Sequence, residues 1–114
     1  MPEIKATSEE IRKLVADGEE FCNQIEVIYR DIVLPTLEER NHKYGDRNLT
    51  RRALKGIASR TEDKCARLWD RKEVLSEEGF KDTLNDFLDI AGYGLNGLRY
   101  LLLGRFDELK DGDM

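Results

Sequence analysis

The chain has 114 residues, 38% of them charged and 39% hydrophobic, with two prolines and a formal net charge of −5 at pH 7. This length implies one domain that buries roughly two-thirds of its unfolded surface without metal or disulfide staples, and the blend suits a helical bundle with solvated outer faces. The acidic balance argues against a general DNA or RNA binder, which displaces counterions with basic surface, yet it leaves room for a local basic pocket for one nucleotide.

Thr7-Ser8-Glu9-Glu10 reads as a helix start, a capping residue followed by acids. Ile11, Leu14 and Val15 lead, past Gly18, into Phe21, Ile25, Ile28 and Ile32, a spacing that marks one buried helix face. Pro35 removes a backbone donor and predicts a kink or break near Asp31 to Leu34. The resumed helix should run to about Lys43 and stop at Gly45, a left-handed cap.

A second helix is predicted from about Asn48–Arg52 to Leu75. Ala53, Ile57, Thr61, Leu68 and Leu75 form its apolar line, with Lys64 interrupting it. Arg60, Lys64, Arg67 and Arg71 fall along one flank of that line. The third helix starts after Ser76, with Glu77 and Glu78 in its first turn, and runs through about Leu103. Phe80, Leu84, Phe87, Ala91, Leu95, Leu98 and Leu102 hold one face. Gly92, Gly94, Gly97 and Gly104 each cost up to ~1 kcal/mol against alanine in a helix, which points to close helix approach across a dimer interface.

The expected fold is therefore all-α, an oligomeric bundle of three main long helices with the first kinked or broken near Pro35. It forms a single domain over 1–114, with an ordered core at about 8–104 and a frayed tail at 105–114. Cys22 and Cys65 belong to no CxxC pair, so the plain reading is two thiols in a reducing cytosol. No apolar run reaches the ~18 residues of a membrane span, and "MPEIKATSEE" lacks a signal peptide's apolar centre. The expected location is the cytoplasm, away from membranes.

Asp82, Asp86, Asp89 and Tyr93 are spaced four, three and four on the third helix, a stripe opposite its apolar face. As a solvated face the stripe is tolerable, because like charges on a helix cost only ~0.2–0.5 kcal/mol per pair. Facing another helix or subunit, the three carboxylates need counter-charge from Arg60, Lys64 and Arg67, or from a divalent cation. Hard oxygens on successive turns suit Mg²⁺ or Mn²⁺, and basic neighbours would hold phosphate oxygens. His42, the sole histidine, suits the negative end of a helix dipole. Tyr44 and Tyr93 are either packing residues or base-stacking platforms, and Trp69 is either a partner contact or a lid on the core.

Three segments together, "RNHKYGD" (40–46), "IASRTEDKCARL" (57–68) and "DTLNDFLDIAGYGL" (82–95), resemble the nucleotide modification associated domain 1 family, small α-helical proteins of bacteriophages and bacteria. The resemblance covers roughly residues 20 to 100. Arg40, Asn41, Tyr44 and Gly45 fit its first motif, with Lys43 where an acid is more usual. Arg60, Asp63, Lys64 and Arg67 carry the second motif, and Asp89 and Tyr93 the third. Asn85 stands at a turn where the pattern favours an acid.

More distantly, the arrangement resembles the MazG-like all-α nucleoside triphosphate pyrophosphatases, which hold Mg²⁺ on acidic pairs. Asp86 and Asp89 match the spacing of one such pair, whereas Glu19, Glu20 and Glu26 do not match the other. What these resemblances imply is a nucleotide ligand held by Asn41, Lys43, Tyr44, Arg60, Lys64, Arg67 and Tyr93, with Mg²⁺ on Asp82, Asp86 and Asp89. The implied activity is a Mg²⁺-dependent pyrophosphohydrolase of phage-type nucleotide metabolism. The alternative is a non-hydrolytic sponge that captures a nucleotide or nucleotide signal against host defence.

Overall fold

The computed structural model describes residues 6–44 and 53–104, and among them every regular element is helical. Helix α1 (Ser8–Ala16) begins at the expected cap. Thr7 is extended, its hydroxyl accepts from the Glu10 backbone N–H at 3.2 Å, and the Glu10 carboxylate accepts from the Thr7 N–H at 3.4 Å. Two orphan donors are thereby satisfied reciprocally.

The face predicted to run unbroken from Ile11 to Ile32 is interrupted. Backbone bonds close a turn after Ala16, Glu19 takes φ 62°, and a new helix α2 (Phe21–Val27) starts there. Ile11 is buried, but Phe21 and Ile25 are exposed.

The expected distortion at Pro35 takes the form of a π-helical segment (Ile28–Val33) leading without a break into α3 (Leu34–Tyr44). Leu34 N–H donates to the Tyr29 carbonyl, five residues back. Proline has no N–H and its ring crowds the carbonyl four residues before it, so a widened turn carries the helix past without breaking it. Thr36 Oγ1 then donates to the Ile32 carbonyl at 2.7 Å.

Helix α4 (Ala53–Trp69) stops well short of the predicted end at Leu75. The link to the last helix is built by local hydrogen bonds. Ser76 N–H and Oγ both donate to the Glu73 carbonyl, Glu73 has φ 52°, and Ser76 Oγ accepts from Gly79 N–H at 3.0 Å. A Cβ on Gly79 would sit 2.2 Å from the Glu73 carbonyl oxygen, so this turn excludes any side chain there.

Helix α5 (Glu77–Leu102) is the longest and packs chiefly along α4. Its start is tied to the start of α1: the Glu77 carboxylate accepts from Ser8 N–H at 3.0 Å and from Ser8 Oγ at 2.7 Å. Those bonds hold the Glu77 carboxyl below its usual range. Near this junction the Arg12 guanidinium lies 5.6 Å from the Phe80 ring centroid.

The largest departure from the sequence reading is the orientation of α5. The stripe read as lying opposite the core turns inward, with Asp86 and Asp89 buried at 2% and 7% exposure. Much of the predicted apolar face turns outward instead: Phe87, Leu95, Leu98 and Leu102 are exposed. Close approach is realised at Gly92, where a Cβ would lie 2.8 Å from Leu37 Cδ2 of α3.

Candidate functional site

Two carboxylates one helical turn apart on α5 gather cations from α3, α4 and the α4–α5 link. Asp86 Oδ2 accepts from Arg71 Nη2 at 2.5 Å, and its Oδ1 lies 3.6 Å from Arg67 Nε. Arg71 also donates to Thr83 Oγ1 at 3.2 Å. Asp89 Oδ1 accepts from Arg40 Nη1 at 2.5 Å, and its Oδ2 is 3.0 Å from Lys64 Nζ. Lys64 interrupts the apolar line of α4 because it faces a buried acid. Arg71 completes the basic flank from just beyond the helix end.

The cations divide into an inner and an outer set. The side chains of Arg40, Lys64 and Arg71 are 14%, 18% and 15% exposed, whereas that of Arg67 is 57% exposed. Arg60, half-buried, makes no hydrogen bond or ion pair with a described residue. Tyr93 connects the groups electrostatically: burial pushes its hydroxyl above the usual tyrosine range and Asp89 adds to this. Lys64, Arg60 and Arg40 pull the other way. Arg40, Arg60, Lys64, Asp89 and Tyr93 therefore lie within one another's field.

Four cations contact two buried carboxylates here, and Arg60 lies in the electrostatic field of the adjoining Tyr93. Two guanidinium donors are left over: Arg40 Nε and Nη2 are buried and have no hydrogen-bond partner among the described residues, and on α5 the buried acceptor Asn85 Oδ1 is unmatched as well. A buried, unmatched guanidinium donor is costly, by about 1–3 kcal/mol or more for a charged group. Such a site is suited chemically to an oxyanion that accepts from several N–H groups at once, as phosphate does from arginine.

Of the residues singled out in the sequence, Lys64, Arg67, Asp86, Asp89 and Tyr93 come together, with Arg60 in range. Asp82 is exposed and makes no ion pair with a described residue. Asn41 and His42 are exposed at the end of α3. The side chains of Lys43 and Tyr44, and Gly45 with Asp46, lie outside the described residues. Sequence reasoning left two contributors out of the site, Arg40 and Arg71. Arg71 continues the four-residue rhythm of the basic flank, and Arg40 stands beside Asn41, so both signals were present.

Asp86 and Asp89 act as internal counter-ions, each contacting two cations. Among the described residues no group of three or more His, Cys, Asp or Glu side chains is placed to hold a metal ion. No described helix is long and apolar enough to cross a membrane. Comparison with protein-family models, with curated proteins and with solved structures finds no match to the chain.

Proposed function

We propose that the chain is a nucleotide-binding protein that captures the phosphate groups of its ligand without hydrolysing them. Arg60 and Arg67 supply the outer charge, and the unmatched donors of Arg40, covered without ligand, supply the inner once the ligand opens the cluster. The carrying observation is the donor surplus at Arg40, which one buried aspartate does not satisfy. Asp86 and Asp89 hold the cations in place before ligand arrives, which lowers the ordering cost of binding. Tyr93 flanks the site and offers a ring to the base. In a cytoplasmic, phage-type setting such capture would withdraw a nucleotide signal from host defence. The protein does this as a homo-oligomer.

The second reading is the Mg²⁺-dependent pyrophosphohydrolase, favoured by the adjacency of Asp86 and Asp89 inside one basic cluster. It requires Asp86 to exchange Arg67 and Arg71, and Asp89 to exchange Arg40 and Lys64, for metal, and Asp82 to turn inward. A thermal-shift panel of linear and cyclic nucleotides, run with Mg²⁺ and with EDTA, separates the readings. Capture predicts stabilisation that survives EDTA and a ligand recovered intact after denaturation. Metal-dependent turnover establishes the hydrolase instead, and a panel with no stabilisation by any nucleotide removes both.

A further inference from the structure

The outward face of α5 has a pattern of its own. Phe87, Leu98 and Leu101 are 58%, 55% and 63% exposed, and Leu102 reaches 81%. Between them lie half-buried Ala91 and exposed Gly94, and a Cβ on Gly94 would meet nothing within 4 Å. From Phe87 through Ala91, Gly94, Leu98 and Leu101 the spacing is four, three, four and three, the repeat of a helix–helix seam. No charged residue interrupts this face between Leu84 and Leu102. Beside its N-terminal half, a groove of about 710 Å³ opens toward Ile28 and Ile32.

We propose that this face is the two-fold interface of a homodimer in which two α5 helices pack antiparallel, with the axis passing between Gly94 and Leu95. The inference specifies the self-association named above and is independent of the ligand. In this register Gly94 meets the partner's Leu95, Ala91 the partner's Leu98, and Phe87 the partner's Leu102. At the centre the small residues Gly94 and Ala91 thus receive leucines of the other helix, Phe87 and Leu102 close the ends, and the symmetry operation repeats each contact. A parallel two-fold pairing would instead set each residue against itself, Phe87 on Phe87 and Gly94 on Gly94, without matching large to small.

Area points to the same occupant. If all were covered, the exposed apolar residues of α5, with Phe21, Ile25 and Tyr29 exposed on α2 and the π-helical segment, would remove on the order of 1,000 Å² per chain from water, against the roughly 800 Å² per partner of a standard stable interface. Within the chain, by contrast, the buried hydrophobic residues among those described are Ile11, Val33, Leu88 and Tyr100. The opposite side of α5 is already taken by Leu37 and by the ion cluster, so this face is the one left to a second copy.

Sedimentation and cross-linking test the proposal. The parent should sediment as a dimer at micromolar concentration, and Leu98→Glu as a helical monomer. Should Leu98→Glu lose its helical circular dichroism, Leu101→Lys carries the same test. Gly94→Cys, in a background with Cys22 and Cys65 changed to serine, should oxidise to an intermolecular disulfide far faster than exposed Cys22 does in the parent. A monomeric parent overturns the proposal. So does a dimer that the folded variants leave intact, or a Gly94→Cys chain that cross-links no faster than Cys22.

Discussion

Lys64 and Arg67 lie three residues apart on one flank of α4, and burial separates their roles. Lys64 is inside the cluster at 3.0 Å from Asp89, while Arg67 reaches Asp86 only at 3.6 Å with most of its side chain in solvent. Removing Lys64 strips a buried aspartate of one of two cations, so Lys64→Ala should cost about 3 kcal/mol in urea unfolding. Arg67→Ala leaves Asp86 its Arg71 partner and should stay within about 0.5 kcal/mol of the parent. Equal losses at the two positions would contradict this division.

Glu77 supplies a pH-dependent prediction. Its carboxyl is lowered first by the Ser8 hydroxyl and then by the Ser8 backbone N–H. A depressed carboxyl contributes stability above its unfolded value and loses it as pH falls through the folded one. Denaturant midpoints of the parent and Glu77→Gln should therefore differ at neutral pH and converge on acidification below the usual glutamate range. A gap that persists at low pH would refute the α1–α5 tie.

At the scale of elements, what was legible in the sequence is what local chemistry decides. The Thr7 box, the Ser76 cap and the distortion at Pro35 each follow from a few adjacent residues, and all three occur. The orientation of α5 was not legible. Periodicity identifies two stripes on the helix but does not say which is covered. That choice depends on Arg40, 49 positions from Asp89, and on Lys64 and Arg71 arriving on other elements. The early end of α4 was hidden for a related reason, since Leu75 keeps the apolar rhythm while Glu73 and Ser76 divert the backbone.

Helix contact also yields a test. Gly92→Ala brings a methyl group against the end of the Leu37 side chain, which must turn aside, so the roughly 1 kcal/mol that alanine gains over glycine in a helix should be largely cancelled. With Leu37 trimmed to alanine in the same chain, Gly92→Ala should recover that gain, seen as a favourable coupling in a double-mutant cycle. Purely additive effects would show that the two helices do not meet there.

On the scale of the whole molecule, a chain of net charge −5 gathers four cations on two buried carboxylates and turns leucines outward on the other side of the same helix. The composition concealed both, because acids elsewhere mask the basic cluster and the leucines read as core. The ion cluster ties α3, α4 and α5 together, while Arg60 has no ion pair with a described residue and Arg67 keeps most of its side chain in solvent, the two cations that the proposal assigns to the ligand. That division between structural and binding cations underlies the proposed capture. Calorimetric titration in EDTA tests it most directly, using the nucleotide that most stabilises the parent. Arg60→Ala and Arg67→Ala should each melt with the parent yet bind at least about tenfold more weakly, a loss of some 1.4 kcal/mol or more. Undiminished binding in both variants, or no binding by the parent itself, would contradict it.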